Sequence, residues 1–414
     1  MRRLLLLLAV TGASLWLAPG AFAAGWCGSG ESNVDRADIV TGRQVHTVVV
    51  VPADGADSFA TESGLLADDV ASLQVWWTGQ DPTRVPRFDD AVFAGQTCLD
   101  ISFLRLAEPG ASLTGASLTL ERIITELSVA GLGSQYKKYL VYYDGPAPQA
   151  GVCGIGEGSF ADGPAYAVVL LAGCPGVPND SIATHELLHA LGAVPLGAPH
   201  ACPGDLAHPC DSPTDVLNPT TAGEPLSQKV LDFNHDDYYG HSGSWPDIQD
   251  SLWLRHLDAP QFPLVATLTG AGTVTSDVPG VDCTVMCTTQ WDQGSQVVLT
   301  AEPTSTNRFV GWKGVCKGLF TCALTISQPE SVAAVFGPLR IPLRVRITGK
   351  GRIVCSPGCP KTLTAGRPLS LRAIPAKGWR FSGWSGACKG RQAACAPATD
   401  FALAIHATFR RRAT

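Results

Sequence analysis

The chain has 414 residues, 14 cysteines and a formal net charge of −6. Beyond residue 23 no apolar run reaches the roughly 18 residues of a membrane-spanning helix, and the cysteines do not form the paired C-x-x-C knuckles of a structural zinc ribbon, so both classes are excluded. The small net charge conceals a division: residues 24–263 carry 10 Lys and Arg against 30 Asp and Glu, or −20, and residues 264–414 carry 18 against 6, or +12. Such different surfaces predict separate domains.

At the start, Arg2 and Arg3, the apolar stretch Leu4–Val10 and then Ala21-Phe22-Ala23 follow the order of a secretory signal, with cleavage expected after Ala23. Secretion leads to an oxidising compartment, so the even cysteine count reads as disulfides. The expected pairs in the acidic part are Cys27 with Cys98, Cys153 with Cys174, and Cys202 with Cys210, the last closing a short loop.

The β-branched run Gln44–Val51 predicts a buried strand, and Leu65, Leu66, Val70, Leu73 and Trp77 give helical spacing over Ser58–Trp77. Leu99–Leu106 reads as a second strand, Leu118–Val129 as a second helix, and Tyr139–Tyr143 and Ala165–Ala172 as third and fourth strands. His46, inside the first strand, is expected to be a packed residue and not a ligand. Helices between strands predict an α/β layer that delivers the next helix directly after the last strand.

That helix carries Thr184-His185-Glu186-Leu187-Leu188-His189-Ala190-Leu191-Gly192, the pattern H-E-x-x-H-x-x-G. Histidines four apart leave one helix face a turn from each other and can share a metal ion. Glu186 beside them can take a proton from water and return it to a leaving amine. Leu187, Leu188 and Leu191 supply the apolar face that buries the helix, and Gly192 permits a sharp turn after it.

The extended motif resembles that of the metzincin metalloproteases, which continue to a third ligand three residues after the glycine. Here Pro195 holds that position and offers no ligand atom. The resemblance implies zinc on His185, His189 and a third residue. His200 is the expected third ligand, with His208 the alternative and Asp205 or Asp211 behind it. Asp215-Val216-Leu217-Asn218-Pro219 resembles the family's methionine turn with Leu217 in the methionine's place. The family's chemistry implies a zinc-bound water, activated by Glu186, attacking a peptide carbonyl.

Asp232, Asn234 and Asp236 alternate within Leu231–Tyr239 as calcium-loop ligands do, which makes Ca²⁺ an additional candidate there, although the glycine and distal glutamate of an EF-hand are missing. Ile248–Leu257 is predicted to be a short amphipathic helix. Residues 258–263 are the linker.

Beyond it the chain repeats with a period of about 75 residues. Phe309-Val-Gly311-Trp312-Lys-Gly314-Val-Cys316 answers Phe381-Ser-Gly383-Trp384-Ser-Gly386-Ala-Cys388. Alternating apolar residues between glycine turns predict all-β modules, which resemble the divergent bacterial modules related to internalin B-repeats. The expected disulfides are Cys283 with Cys287, Cys316 with Cys322, Cys355 with Cys359, and Cys388 with Cys395. Trp312 and Trp384 read as core residues. Residues 338–414 carry 15 Lys and Arg against Asp400 alone, or +14, and residues 264–337 carry 3 against 5, or −2. The second module is therefore expected to meet an anionic partner such as a cell-envelope polymer.

The expected class is α+β: a metzincin-like mixed twisted sheet with an active-site helix, followed by two small all-β modules. The expected domains are 1–23 (signal), 24–257 (zinc protease), 258–263 (linker), 264–337 (first module) and 338–414 (basic second module). The functional expectation is a secreted, monomeric, zinc-dependent endopeptidase acting on protein or peptide and released or held at the cell surface. The alternatives are a catalytically degenerate homologue of such a protease, or a surface-binding protein presenting β repeats.

Overall fold

The computed structural model describes residues 26–412 apart from 29, 159, 221 and 222. The signal expected over residues 1–23 lies outside the described residues. The chain divides into two compact units, Met1–Asp258 and Ala259–Thr414. Among the described residues no helix is long and apolar enough to cross a membrane.

The first unit is built on a five-stranded sheet. Its strands are β1 (Gln44–Val51), β2 (Ile101–Arg105), β3 (Lys137–Tyr143), β4 (Gly154–Gly156) and β5 (Tyr166–Leu170), in the order β2-β1-β3-β5-β4. The first four in that order run parallel, and β4 is an antiparallel edge paired only with β5. Parallel strands need crossovers, and the crossover helices cover both faces. Helices α1 (Phe59–Gln80) and α3 (Asn179–Leu191) pack on one face with Val45, Val49, Leu140 and Val169. Helix α2 (Ala116–Val129) covers the other through Ile123 and Leu127, against Val48, Val50 and Val141. This double burial is why β1 ends in four consecutive valines, Val48 to Val51, and not in an alternation.

The expected fold class is corrected by this architecture. Of the described residues 39% are in strands and 16% in helices, with three α-helices among them. Those helices are interleaved with parallel strands, as both-face burial requires, while the second unit is β throughout. The structure therefore assigns neither the α+β class nor a metzincin fold. The helix expected over Ile248–Leu257 is also absent: Ile248–Asp250 is a single 3₁₀ turn with Asp247 accepting from the Gln249 amide, and Leu254–His256 pairs with Arg84–Pro86 as a strand. Edge pairing satisfies backbone groups that a helix of ten residues would leave free at its ends.

His46 is wholly buried on β1, with Nδ1 2.9 Å from Asp89 Oδ2 and Nε2 2.9 Å from Ser102 Oγ. The Ser102 hydroxyl donates to the Val34 carbonyl, so it accepts from Nε2 and both ring nitrogens donate. Burial works against that charged imidazole, but the Asp89 hydrogen bond and the charges of Asp35 and Asp89 outweigh it and raise its pKa. The Lys137 ammonium lies 2.6 Å from Asp89 and 2.7 Å from both Asp35 and Asp38. With both its nitrogens spent on protein partners, His46 is a packed residue.

In the second unit each module pairs two sheets. The first module has a sheet of β6 (Gln261–Thr269), β7 (Met286–Asp292), β8 (Asn307–Gly314) and β9 (Glu330–Pro338), in the order β7-β6-β9-β8. The second has β10 (Arg340–Thr348), β11 (Thr362–Thr364), β12 (Trp379–Gly386) and β13 (Leu403–Arg411), in the order β11-β10-β13-β12. Trp312 and Trp384 are buried, each indole N–H donating to a carbonyl eight residues on, that of Phe320 or Gln392. All seven expected disulfides are present.

Candidate metal centre

Helix α3 runs as the sequence suggests, with Leu187, Leu188 and Leu191 fully buried and Gly192 closing it in the left-handed conformation at φ 93°. His185, Glu186 and His189 line a cleft of about 500 Å³. The third imidazole in the cleft is His208, carried on the hairpin Ala201–Cys202/Asp205–Pro209, which the Cys202–Cys210 disulfide closes. The Nε2 atoms of His185, His189 and His208 stand 3.2 Å apart in every pair.

A shared proton can bridge one such pair and leaves the third nitrogen unanswered. A cation answers all three. Imidazole nitrogens 2.0–2.1 Å from one tetrahedral zinc stand about 3.3–3.4 Å apart, close to the spacing found here. The far side of the His185 ring is arranged to match. His185 Nδ1 donates to the Val216 carbonyl at 2.8 Å, which fixes the tautomer with Nε2 as the free acceptor. His208 Nδ1 lies 2.9 Å from Asp205 Oδ1, out of line for a hydrogen bond. Burial depresses His185 to about 4 and holds His189 well below its ordinary value, so both are neutral and able to bind a metal.

Val216 belongs to the turn Asp215–Asn218, whose fully buried Leu217 joins the same core cluster as Leu187 and Leu188. Asp215 organises the turn, accepting from the Leu217 amide at 2.7 Å, the Tyr238 hydroxyl at 2.9 Å and the Phe233 amide at 2.8 Å.

On the opposite wall, β4 passes so close to α3 that only glycine fits. A Cβ on Gly154 would stand 2.6 Å from Glu186 Cγ, and one on Gly156 would stand 2.5 Å from His189 Cβ and 2.9 Å from Glu186 Oε2. The Glu186 carboxyl is thus held against the edge strand. Burial alone pushes it up to about 8, and a cation on the adjacent imidazoles would restore the carboxylate. Gly156→Ala is expected to cost about 1–3 kcal/mol through overpacking and to displace His189; thermal unfolding and metal content measured together check both effects.

His200, the expected third ligand, is not with the other two. Its backbone N–H donates to Asp237 Oδ1 at 2.8 Å, its Nδ1 lies 3.2 Å from Asp237 Oδ2, and its side chain is 41% exposed. Asp211 and Asp236 complete that separate group. The physical reason is the buried Asp237 carboxylate, which takes both polar groups of His200 before the chain turns into the disulfide hairpin. In the stretch Leu231–Tyr239, expected as a calcium loop, the acidic side chains have protein partners. Asp232 Oδ2 accepts from the amides of Asp237, Tyr238 and Tyr239 at 3.2, 2.7 and 2.5 Å, so its carboxylate closes a turn while Asp236 faces His200.

Residues 264–338 and 341–413 each match the profile of the Divergent InlB B-repeat domain. Each C-terminal module is therefore similar to that repeat family. A comparison with curated proteins gives no match. Among solved structures, wild-type OgpA from Akkermansia muciniphila is similar at 12% identity over 90% of this chain and 96% of that one, with a TM-score of 0.25. Catalytically inactive OgpA from the same organism, in complex with an O-glycopeptide (glycodrosocin) substrate, is similar at 11% identity over 92% and 99%, with a TM-score of 0.26. TM-scores this low do not define a shared fold.

Proposed function

We propose that the first unit is a zinc-dependent endopeptidase with His185, His189 and His208 as ligands and Glu186 as general base. The observation that carries this reading is the triangle of Nε2 atoms, 3.2 Å apart in every pair, beside a buried carboxyl. Three imidazoles with one open position are the donor set of a catalytic zinc site and not of a closed structural one. Bound zinc supplies Lewis-acid polarisation of a carbonyl and lowers the pKa of water. The chain's own residues do the rest. Glu186 takes the proton from the attacking water and passes it to the leaving amine, from a position fixed between α3 and the glycines of β4. Edge strand β4 has β5 on one side and lines the cleft, so its backbone suits pairing with an extended peptide. Phe160, Val194 and Pro195 add apolar walls.

Seven disulfides suit an oxidising compartment, which supports a secreted location. The test is metal analysis of purified protein. About one equivalent of zinc is expected, with proteolysis of an unfolded substrate abolished by a zinc chelator and restored by zinc. Metal-free protein that cleaves the substrate equally well would remove the proposal.

A further inference from the structure

The two repeats share an interior and differ on one face. In the first module, Leu264, Val332 and Phe336 point inward, and the outward positions of β6 and β9 include Val265, Thr267, Ala333, Val335 and Gly337. In the second, Leu343, Ile405 and Phe409 take the inward places. The outward places of its β10 hold Arg340, Arg344 and Arg346, all exposed. Arg346 stands opposite His406 on β13, and Arg410 on β13 stands opposite Arg380 on β12. Because β13 lies between β10 and β12, these groups form one field across three adjacent strands about 4.8 Å apart.

This face is costly as sheet structure, because like charges directly opposite destabilise a strand pair. No carboxylate offsets the cost: Asp400 is the module's only acid, and among the described residues none of these arginines enters an ion pair. The first module shows that the same interior folds with small neutral groups in most of these places. The face therefore has a use other than folding.

We propose that it binds a linear polysaccharide carrying carboxylate or sulfate groups. The charged groups contributed by the three strands are guanidiniums, whose planar forks match carboxylate and sulfate oxygens two at a time. Hydroxyls of Thr348, Thr408, Ser382 and Ser385 on the same strands suit a polyhydroxylated chain; Thr348 Oγ1 already lies 2.8 Å from His406 Nε2. Single-stranded nucleic acid is disfavoured, since such sites stack bases on aromatic rings and the outward positions of these strands hold no Phe, Tyr or Trp. The inference is independent of the chemistry of the first unit.

The test uses the full chain. R344T/R346T/R410S removes three of the five arginines of the face, and R352T/R372T/R367T removes the same charge from exposed positions elsewhere in the module. Binding to heparin and to polygalacturonate is measured by calorimetry at physiological ionic strength and across a salt series. The unmodified chain should bind and weaken as salt rises. The face variant should bind about tenfold or more weakly and the control within about twofold of the unmodified chain. Equal loss in both variants, no binding by the unmodified chain even at low salt, or tighter binding to oligo-dT or to phosphatidylserine vesicles than to either polysaccharide would each overturn the assignment.

Discussion

Glutamine in place of Glu186 is expected to lower kcat/KM on an unfolded protein substrate by about a hundredfold or more while the zinc content stays at that of the unmodified protein. The substitution keeps the volume that β4 leaves between Gly154 and Gly156 and removes only the ability to accept a proton. Glu186 is 7% exposed and its shift comes from burial alone, so an uncharged amide there relieves a desolvation cost and the fold should be retained or slightly stabilised. A structural role would show the opposite pattern, with lost stability and activity falling only in proportion to unfolded protein. Matching kcat/KM values for the two proteins would show that the carboxyl takes no part in the chemistry.

Much of this site is legible in the sequence because it rests on local periodicity. Two histidines and a glutamate within five residues of one helix have their relative directions set by helix geometry, and the buried leucines that seat α3 alternate with them. Strands β1, β3 and β5 are legible for a similar reason, as short apolar runs between turn signals. The edge strand β4 is not. Gly154-Ile155-Gly156 looks like a loop, since glycine in a strand is unfavourable on its own account. Its glycines are required by the approach of α3, a tertiary constraint that no local pattern reports. The acidic alternation at Asp232, Asn234 and Asp236 is a converse case. Backbone amides five to seven residues further on take the first carboxylate, and only the folded turn reveals them.

The third ligand marks the boundary between the two kinds of information. Counting from the helix favours His200, the first histidine after the missing position. One signal pointed to His208 instead: Pro203-Gly204 inside the loop closed by Cys202 and Cys210 is a turn pair between two cysteines, with Gly204 at φ 87°. Folding that loop as a hairpin brings His208 back on the returning strand.

His208→Ala should therefore lose most of its zinc on dialysis against a weak chelator, with affinity reduced by about a hundredfold or more, since even outer-sphere partners of a zinc site are worth 10- to 100-fold. His200→Ala should keep its zinc and lose stability. Its removal deprives Asp237, whose side chain is fully buried, of the imidazole partner while the backbone hydrogen bond at 2.8 Å remains. An undercompensated buried carboxylate costs about 1–3 kcal/mol, so a lower unfolding temperature with full metal content is the expected signature. The reverse pairing, zinc lost with His200 and kept with His208, would require the disulfide hairpin to lie elsewhere in the metal-loaded protein. Loss of zinc in both variants would mean that the Asp237 contact sets the hairpin's position, and His200 would then act on the site through His208.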